Sequence, residues 1–303
     1  MVTTTPGLGE LRRLFAWEPD ARPWHVNDHA LVRGADGTWR FWGIVWPDPG
    51  HGDLETIALG EATAPHWTGP WTPRESSVRL DPERGETVLW APHVVRLDDG
   101  YAMALATGGA DLSSWGITIL RSTDLEHWVR DPAPLFSDGF QARDPMLLWI
   151  PEESAWAVYY TATEAPEGGR HVVAARLSRD GLRTAEERRL VYVDDHAGTE
   201  YGPTESPFVV RHRDRYLLFL GPRPYDEPSD AQPNWEHPGY DGTDVIAGSA
   251  WDAFAGAAVA HLPLHAPEIV ETPDGLVITH GGIRRGGLWA ASLDLDALLG
   301  GSP

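Results

Sequence analysis

The sequence predicts an all-β chain, a five-bladed β-propeller forming a single domain. Three observations lead there. The stretch 141–163, QARDPMLLWIPEESAWAVYYTAT, reads as a short apolar strand, a tight polar turn and a second, aromatic strand, and the same pattern is written four more times, at 27–46, 90–109, 204–222 and 265–282. The spacing of roughly 50 to 60 residues is the period of a solenoid, propeller or array. The last repeat lacks a fourth strand, whereas residues 11–17 carry an apolar alternation with no local partner. If the second supplies what the first lacks, the ring closes and no sheet edge is left open.

The elements follow in order. Residues 1–9 are expected to be a flexible tail, and 10–303 the propeller. Blade one opens at His25, with strands at 30–32 and 39–46 around the turn Gly34-Ala35-Asp36-Gly37, which accepts positive φ, then strands at 54–59 and near 67–71. Blade two has strands at 94–97, 101–107 and 116–121, followed by the turn 122–128. Blade three has them at 146–150, 155–161, 171–177 and 189–193, and blade four at 208–211, 216–220, 244–249 and 259–264. Blade five has 269–270, 276–279 and 288–293. No long helix and no second domain are expected.

Composition narrows the partners. The chain has 303 residues, 15 Trp, 32 Gly and no Cys, so no disulfide supports it, which fits a reducing cytoplasm. The first twenty residues lack the uninterrupted apolar core of a secretory signal, and no run approaches the roughly 20 apolar residues that cross a bilayer. The 24 basic and 45 acidic residues leave a net charge of −21, which repels phosphate backbones. Neither nucleic acid nor membrane is an expected partner, and the oligomeric state is not legible.

Strand order places the site. If first strands begin on one face, the second-to-third loops return to it, and these are the long ones: 47–53, 108–115, 162–170 and 221–242. Long irregular loops in a compact domain are usually functional. Three of the five heads on that face carry a carboxylate: Asp28, Asp144 and Glu205. Converging carboxylates are what glycoside hydrolysis needs, one to attack or activate water and one to protonate the leaving oxygen. Crowding in a partly buried pocket raises at least one pKa, which suits the acid. Arg143 can fork hydrogen bonds to vicinal hydroxyls or to a carboxylate. Trp46, Trp90 and Trp115 can stack on a sugar ring, with core packing as the competing role. His93 heads blade two and is a candidate ligand contact, as is Asn27 beside Asp28. His25 and His29 have no evident third partner, so no metal ion and no cofactor are expected.

Trp24-His25-Val26-Asn27-Asp28 resembles the Trp-x-Asn-Asp-Pro segment of glycoside hydrolase family 32, the invertases and fructanases. Arg143-Asp144-Pro145 matches that family's Arg-Asp-Pro, and Glu205-Ser206-Pro207 resembles its Glu-Cys segment. The resemblance covers nearly the whole chain. It implies Asp28 as nucleophile, Glu205 as acid/base and Asp144 as transition-state stabiliser, in an exo-acting, retaining enzyme on a terminal β-fructofuranoside of a small saccharide. His29 replaces the family's Pro and Ser206 its Cys, and no counterpart of the C-terminal sandwich usual there is expected within these 303 residues. Trp90-Ala91-Pro92 looks more like family 43, the arabinosidases and xylosidases, which invert. That resemblance implies an inverting arabinofuranosidase or xylosidase with the same three acids. A non-catalytic sugar-binding propeller is the reading from a different class.

Overall fold

The computed structural model describes residues 5–20, 24–47, 58–139, 141–193, 204–223, 242–281 and 286–300. Among them five antiparallel sheets form the five blades of a propeller, with a single four-residue helix at Leu295–Leu298.

Each sheet is a meander with its first strand innermost. Strand β1 (Arg12–Phe15) precedes the first blade. Blade I is β2 (Trp24–Arg33), β3 (Trp39–Pro47), β4 (Gly60–Ala64) and β5 (Thr72–Arg74). In blade II, β6 (Val88–Leu97), β7 (Gly100–Gly108) and β8 (Gly116–Ser122) are followed by the two-residue strands β9 (Val129–Arg130) and β10 (Phe136–Ser137), both paired to β8. Blade III is β11 (Arg143–Ile150), β12 (Ala155–Ala165), β13 (Gly168–Ser178) and β14 (Arg189–Val193). Blade IV is β15 (Glu205–His212), β16 (Arg215–Arg223) and β17 (Gly242–Ala250), with β18 (Ala253–Phe254) and β19 (Ala260–Leu262) both on β17. Blade V is β20 (Glu268–Thr272), β21 (Gly275–Gly281) and β22 (Leu288–Ser292).

The missing fourth strand of blade V is β1. It pairs antiparallel with β22, Arg12 opposite Ala290 and Phe15 opposite Leu288. Its side chains bind the neighbouring blade: Phe15 meets Phe41 edge-on at 5.0 Å and stacks on Trp71 at 5.1 Å. Of the segment expected to be a tail, residues 1–4 lie outside the described residues. Residues 5–9 lie against the end of blade V, where Leu8 bridges Leu293 and the Gly9 N–H donates to the Ser292 carbonyl.

Two strand readings shift. The third strand of blade I was expected at 54–59 but runs Gly60–Ala64, and 48–57 lie outside the described residues. The fourth was expected near 67–71 but runs Thr72–Arg74, because Trp67 and Trp71 are packing residues of the turn. The 221–242 loop falls outside the described residues from 224 to 241, so Trp235 is not placed.

The inner strands are apolar on both faces because each is sandwiched between neighbouring blades. In β7, Ala102, Met103, Ala104, Leu105 and Ala106 are all fully buried. Small residues alternate there with large ones, so that neighbouring sheets interdigitate. Buried polar side chains then fasten one blade to the next. Arg40 ties blade I to the turn of blade II through Glu126 at 2.8 Å. The Tyr159 hydroxyl reaches from blade III to the Trp251 carbonyl at 2.7 Å. Glu268 in blade V accepts the Leu31 N–H of blade I at 2.7 Å.

Candidate active site

The site is built from an irregularity repeated in the first strands. In β11, Arg143 faces Thr161 and Met146 faces Tyr159, so Asp144 and Pro145 together oppose one residue. The same bulge occurs at Ala91-Pro92 in β6 and Ser206-Pro207 in β15, and at Asn27-Asp28 in β2. Proline suits such a bulge because no ladder donor is needed there. The residue before each Pro is left-handed: φ is 49° at Ala91, 53° at Asp144, 48° at Ser206 and 45° at Ala266. This backbone costs free energy in a non-glycine residue and collects at functional sites. Asp tolerates it best of the four.

The three acids do not occupy one equivalent station, as their positions in the repeats suggested. By ladder register Glu205 is the paired residue before the bulge, Asp144 the first extra residue and Asp28 the second. Side chains alternate in direction along a strand. This stagger therefore lets acids from three blades approach one another from different directions.

Ser206 connects them. Its hydroxyl donates to Asp28 Oδ1 at 2.6 Å and its backbone N–H donates to Asp144 Oδ2 at 3.1 Å. Its chain neighbour Glu205 accepts from the Arg143 guanidinium at 3.2 Å, and the same guanidinium lies 3.5 Å from Asp144. Arg143 also donates to Gln141 Oε1 at 3.0 Å. Asp144 is buried, and burial raises its pKa above the usual carboxylate value despite Arg143 and the Ser206 N–H. Asp28 and Glu205 are half-buried. Asn27 is buried beside Asp28, and its backbone is approached so closely by Gly281 that an added Cβ there would sit 2.9 Å from the Asn27 carbonyl oxygen.

Arg143 is only 2% exposed. Its head is the counter-charge for two carboxylates, so it is enclosed by what it neutralises. The aromatic candidates are packed. Trp115 is 2% exposed, meets Trp90 edge-on at 4.8 Å and donates its indole N–H to the Gly109 carbonyl. Trp46 is buried, with His25 stacked on it at 5.2 Å. His93 faces the axis rather than the open cleft and accepts the Leu147 N–H on Nδ1 at 3.2 Å.

Behind the acids the axis holds a cavity of about 30 Å³, room enough for water. His29, His93 and Glu268 line it with Asp28 and Asp144. Burial lowers His29 and His93 from 6.5 to about 4, so both rings are neutral, and raises Glu268 well above the carboxylate range. His29 Nδ1 donates to the Asn27 carbonyl at 2.9 Å, so its Nε2 accepts from the Thr279 hydroxyl at 2.6 Å. No group of three His, Asp or Glu among the described residues is arranged to hold a metal ion.

Sequence reasoning missed three members of this site. Ser206 was seen only as a replacement for Cys. Gln141 opens the stretch from which the repeat was recognised, is fully buried with φ of 54°, and holds Arg143. Glu268 follows Pro267, as His93 follows Pro92, a parallel that would have pointed to it.

Comparison with known proteins decides the family. The model of glycosyl hydrolases family 43 matches residues 53–231, which include Asp144 and Glu205. The chain belongs to glycosyl hydrolase family 43. It is a glycosidase. The Trp90-Ala91-Pro92 segment was thus a better guide than the likeness to family 32. A comparison with curated proteins finds no match. Among solved structures, the family 43 chain is similar to an endo-arabinase from Bacteroides thetaiotaomicron, with a TM-score of 0.67, 13% identity and 89% of this chain covering 94% of that one. It is similar to a family 43 β-xylosidase/α-arabinofuranosidase from a compost microbial metagenome, solved with xylotriose, at TM-score 0.63, 12% identity, 95% and 94%. A β-fructofuranosidase from Schwanniomyces occidentalis gives 0.64 and 14%, with 96% of this chain covering 59% of that one. At these identities the likeness is one of fold.

Proposed function

We propose that the chain is an inverting, exo-acting glycosidase that removes an α-L-arabinofuranosyl or β-xylosyl unit from the end of a saccharide chain, with Asp28 as general base, Glu205 as general acid and Asp144 as the residue that steadies both. The observation that carries this reading is the Glu205-Ser206 dipeptide. It bears one carboxylate and hydrogen-bonds the other two, Asp28 and Asp144, in a family 43 chain.

In the reaction Asp28 takes a proton from water as the water oxygen bonds to the anomeric carbon. The glycosidic bond breaks as Glu205 gives its proton to the leaving oxygen. Separations of about 6.5–9.5 Å between base and acid leave room for that water. Arg143 steadies Glu205 when it becomes charged, and the Ser206 hydroxyl holds Asp28 in place through its Oδ1.

The test is the first-formed product. Proton NMR during hydrolysis of aryl arabinofuranosides and xylosides should show the inverted anomer. Glu205→Gln should lower turnover of natural glycosides by about 10²–10⁴-fold and spare activated aryl glycosides, whose leaving group needs no proton. Equal loss on both would remove Glu205 from the acid's role. The second reading is a retaining fructofuranosidase, favoured by Asn27-Asp28 and Arg143-Asp144. Retention of configuration and release of fructose from sucrose would select it.

A further inference from the structure

The opposite face of the propeller carries a second cleft, of about 680 Å³, between blades II and III. Its volume is within the roughly 300–1,000 Å³ of small-molecule sites. One wall is the β6–β7 turn, with Arg96, Asp98 and Asp99; the other is the Trp149–Trp156 pair at the far ends of β11 and β12.

The blade junction beneath the cleft is rigid. Arg121 is fully engaged there: it holds Asp131 at 2.9 Å and donates across the blade junction to the Gly181 and Leu182 carbonyls at 3.0 and 2.9 Å. Arg179 is tied to Glu153 and Glu186. Asp180 caps the Arg183 and Thr184 N–H groups. The cleft is therefore preformed.

Other groups in it are unused. The side chains of Arg96, Asp98, Asp99 and Arg183 are exposed and have no ion-pair or hydrogen-bond partner among the described residues. The same holds for the indole N–H groups of Trp149 and Trp156. Trp149 is 46% exposed, the one exposed tryptophan among the described residues. It meets Trp156 edge-on at 5.7 Å and 66°, so the two rings make an angled apolar platform with polar rims.

We infer that this cleft binds a neutral saccharide chain, as a second site apart from the catalytic cleft. Sugars present an apolar C–H face and a rim of hydroxyls. An exposed indole matches the face, and unpaired carboxylates and guanidiniums match the rim as acceptors and forked donors. The unpaired charges here are two of each sign, in a chain whose net charge is −21. That local balance selects an uncharged polyhydroxyl ligand over an anion or a cation. The inference rests on the proposed function for its choice of sugar, since holding a polymer on one face supplies chain ends to the other.

The experiment is affinity electrophoresis of the Glu205→Gln protein in gels containing arabinoxylan, linear arabinan or inulin. At least one polymer should retard it. Adding Trp149→Ala should weaken that retardation about fivefold to tenfold, the effect of losing one aromatic stack. Asp98→Asn/Asp99→Asn is the second arm, since it leaves the aromatic packing intact. Trp149→Ala with Glu205 in place should hydrolyse a small aryl glycoside at the unaltered rate. Retardation unchanged in both arms, or none of the parent protein by any polymer, overturns the second site. Failure of the proposed function would show instead as no turnover of any small glycoside.

Discussion

At the scale of single residues, Ser206 is the economical part of the site. A hydroxyl donor to a carboxylate favours its charged form. Ser206→Ala should therefore move the acid limb of the kcat/KM profile to higher pH and lower kcat about tenfold, with KM little changed, since a hydrogen bond to a charged group contributes about 1.5–3 kcal/mol. A parallel loss at every pH, with no movement of the limb, would mean that Ser206 acts only as packing. Arg143 illustrates what residue types alone did not reveal. The triplet Arg143-Asp144-Pro145 marked the site, but nothing in it says that Arg143 is enclosed. Burial depends on Gln141, whose φ of 54° turns its side chain onto the guanidinium, and on Glu205 arriving from another blade. Arg143→Ala is expected to cost both activity and stability, because it leaves two carboxylates without their cation. Thermal unfolding would check this, and a melting temperature equal to that of the parent would show that solvent reaches the vacated space.

At the scale of elements, the propeller was legible because each blade repeats one pattern and because the orphan strand matched the incomplete blade. In blade III the strand ends at Ile150, Ala155, Arg189 and Val193 were readable, but the long loop expected at 162–170 is mostly strand, since β12 runs to Ala165 and β13 starts at Gly168. Blade I was misread where Trp67 and Trp71 mimic a strand: they alternate like one, but Trp67 donates its indole N–H to Asp274 of blade V at 2.8 Å. Aromatic residues at a blade junction follow packing, and pattern cannot separate that from a ladder. The stagger of the three acids was equally hidden, because Pro marks the bulge in β11 and β15 but not in β2, where Asp28 sits. Closure by β1 offers a direct check. Phe15 is half-buried, so Phe15→Ala should cost about 2 kcal/mol, less than a fully buried Phe, and lower the melting temperature by several degrees. No change would mean that pairing of β1 with β22, rather than its contact with blade I, holds the ring shut.

At the scale of the whole molecule, the axis makes stability depend on pH from two directions. His29 and His93 are held at about 4 against an ordinary 6.5, so as pH falls through that window the unfolded chain takes up protons the native protein refuses, and stability is lost. Glu268 has the opposite sign: raised well above 4.5, it keeps a proton that the unfolded chain releases, so its contribution declines as pH rises past 4.5. His93→Gln should flatten the acid side of a urea-midpoint profile by about one proton, roughly 1.4 kcal/mol per pH unit. An unaltered slope would mean that His93 is protonated in the folded state.

The strand that shuts the ring also sets a timetable. During synthesis β1 leaves the ribosome before any other described strand, yet Arg12 pairs with Ala290. At about 5–20 residues per second, it waits on the order of ten to sixty seconds for that partner. Blades I to IV can each zip up from their own consecutive strands in the meantime, while β1, with Leu14 and Phe15 uncovered, hangs unpaired at the rim. The nascent propeller is thus an open arc carrying both of its own sticky edges. A second ribosome on the same message holds another such arc within reach, and the edge that should meet β22 of its own chain can meet that of its neighbour instead.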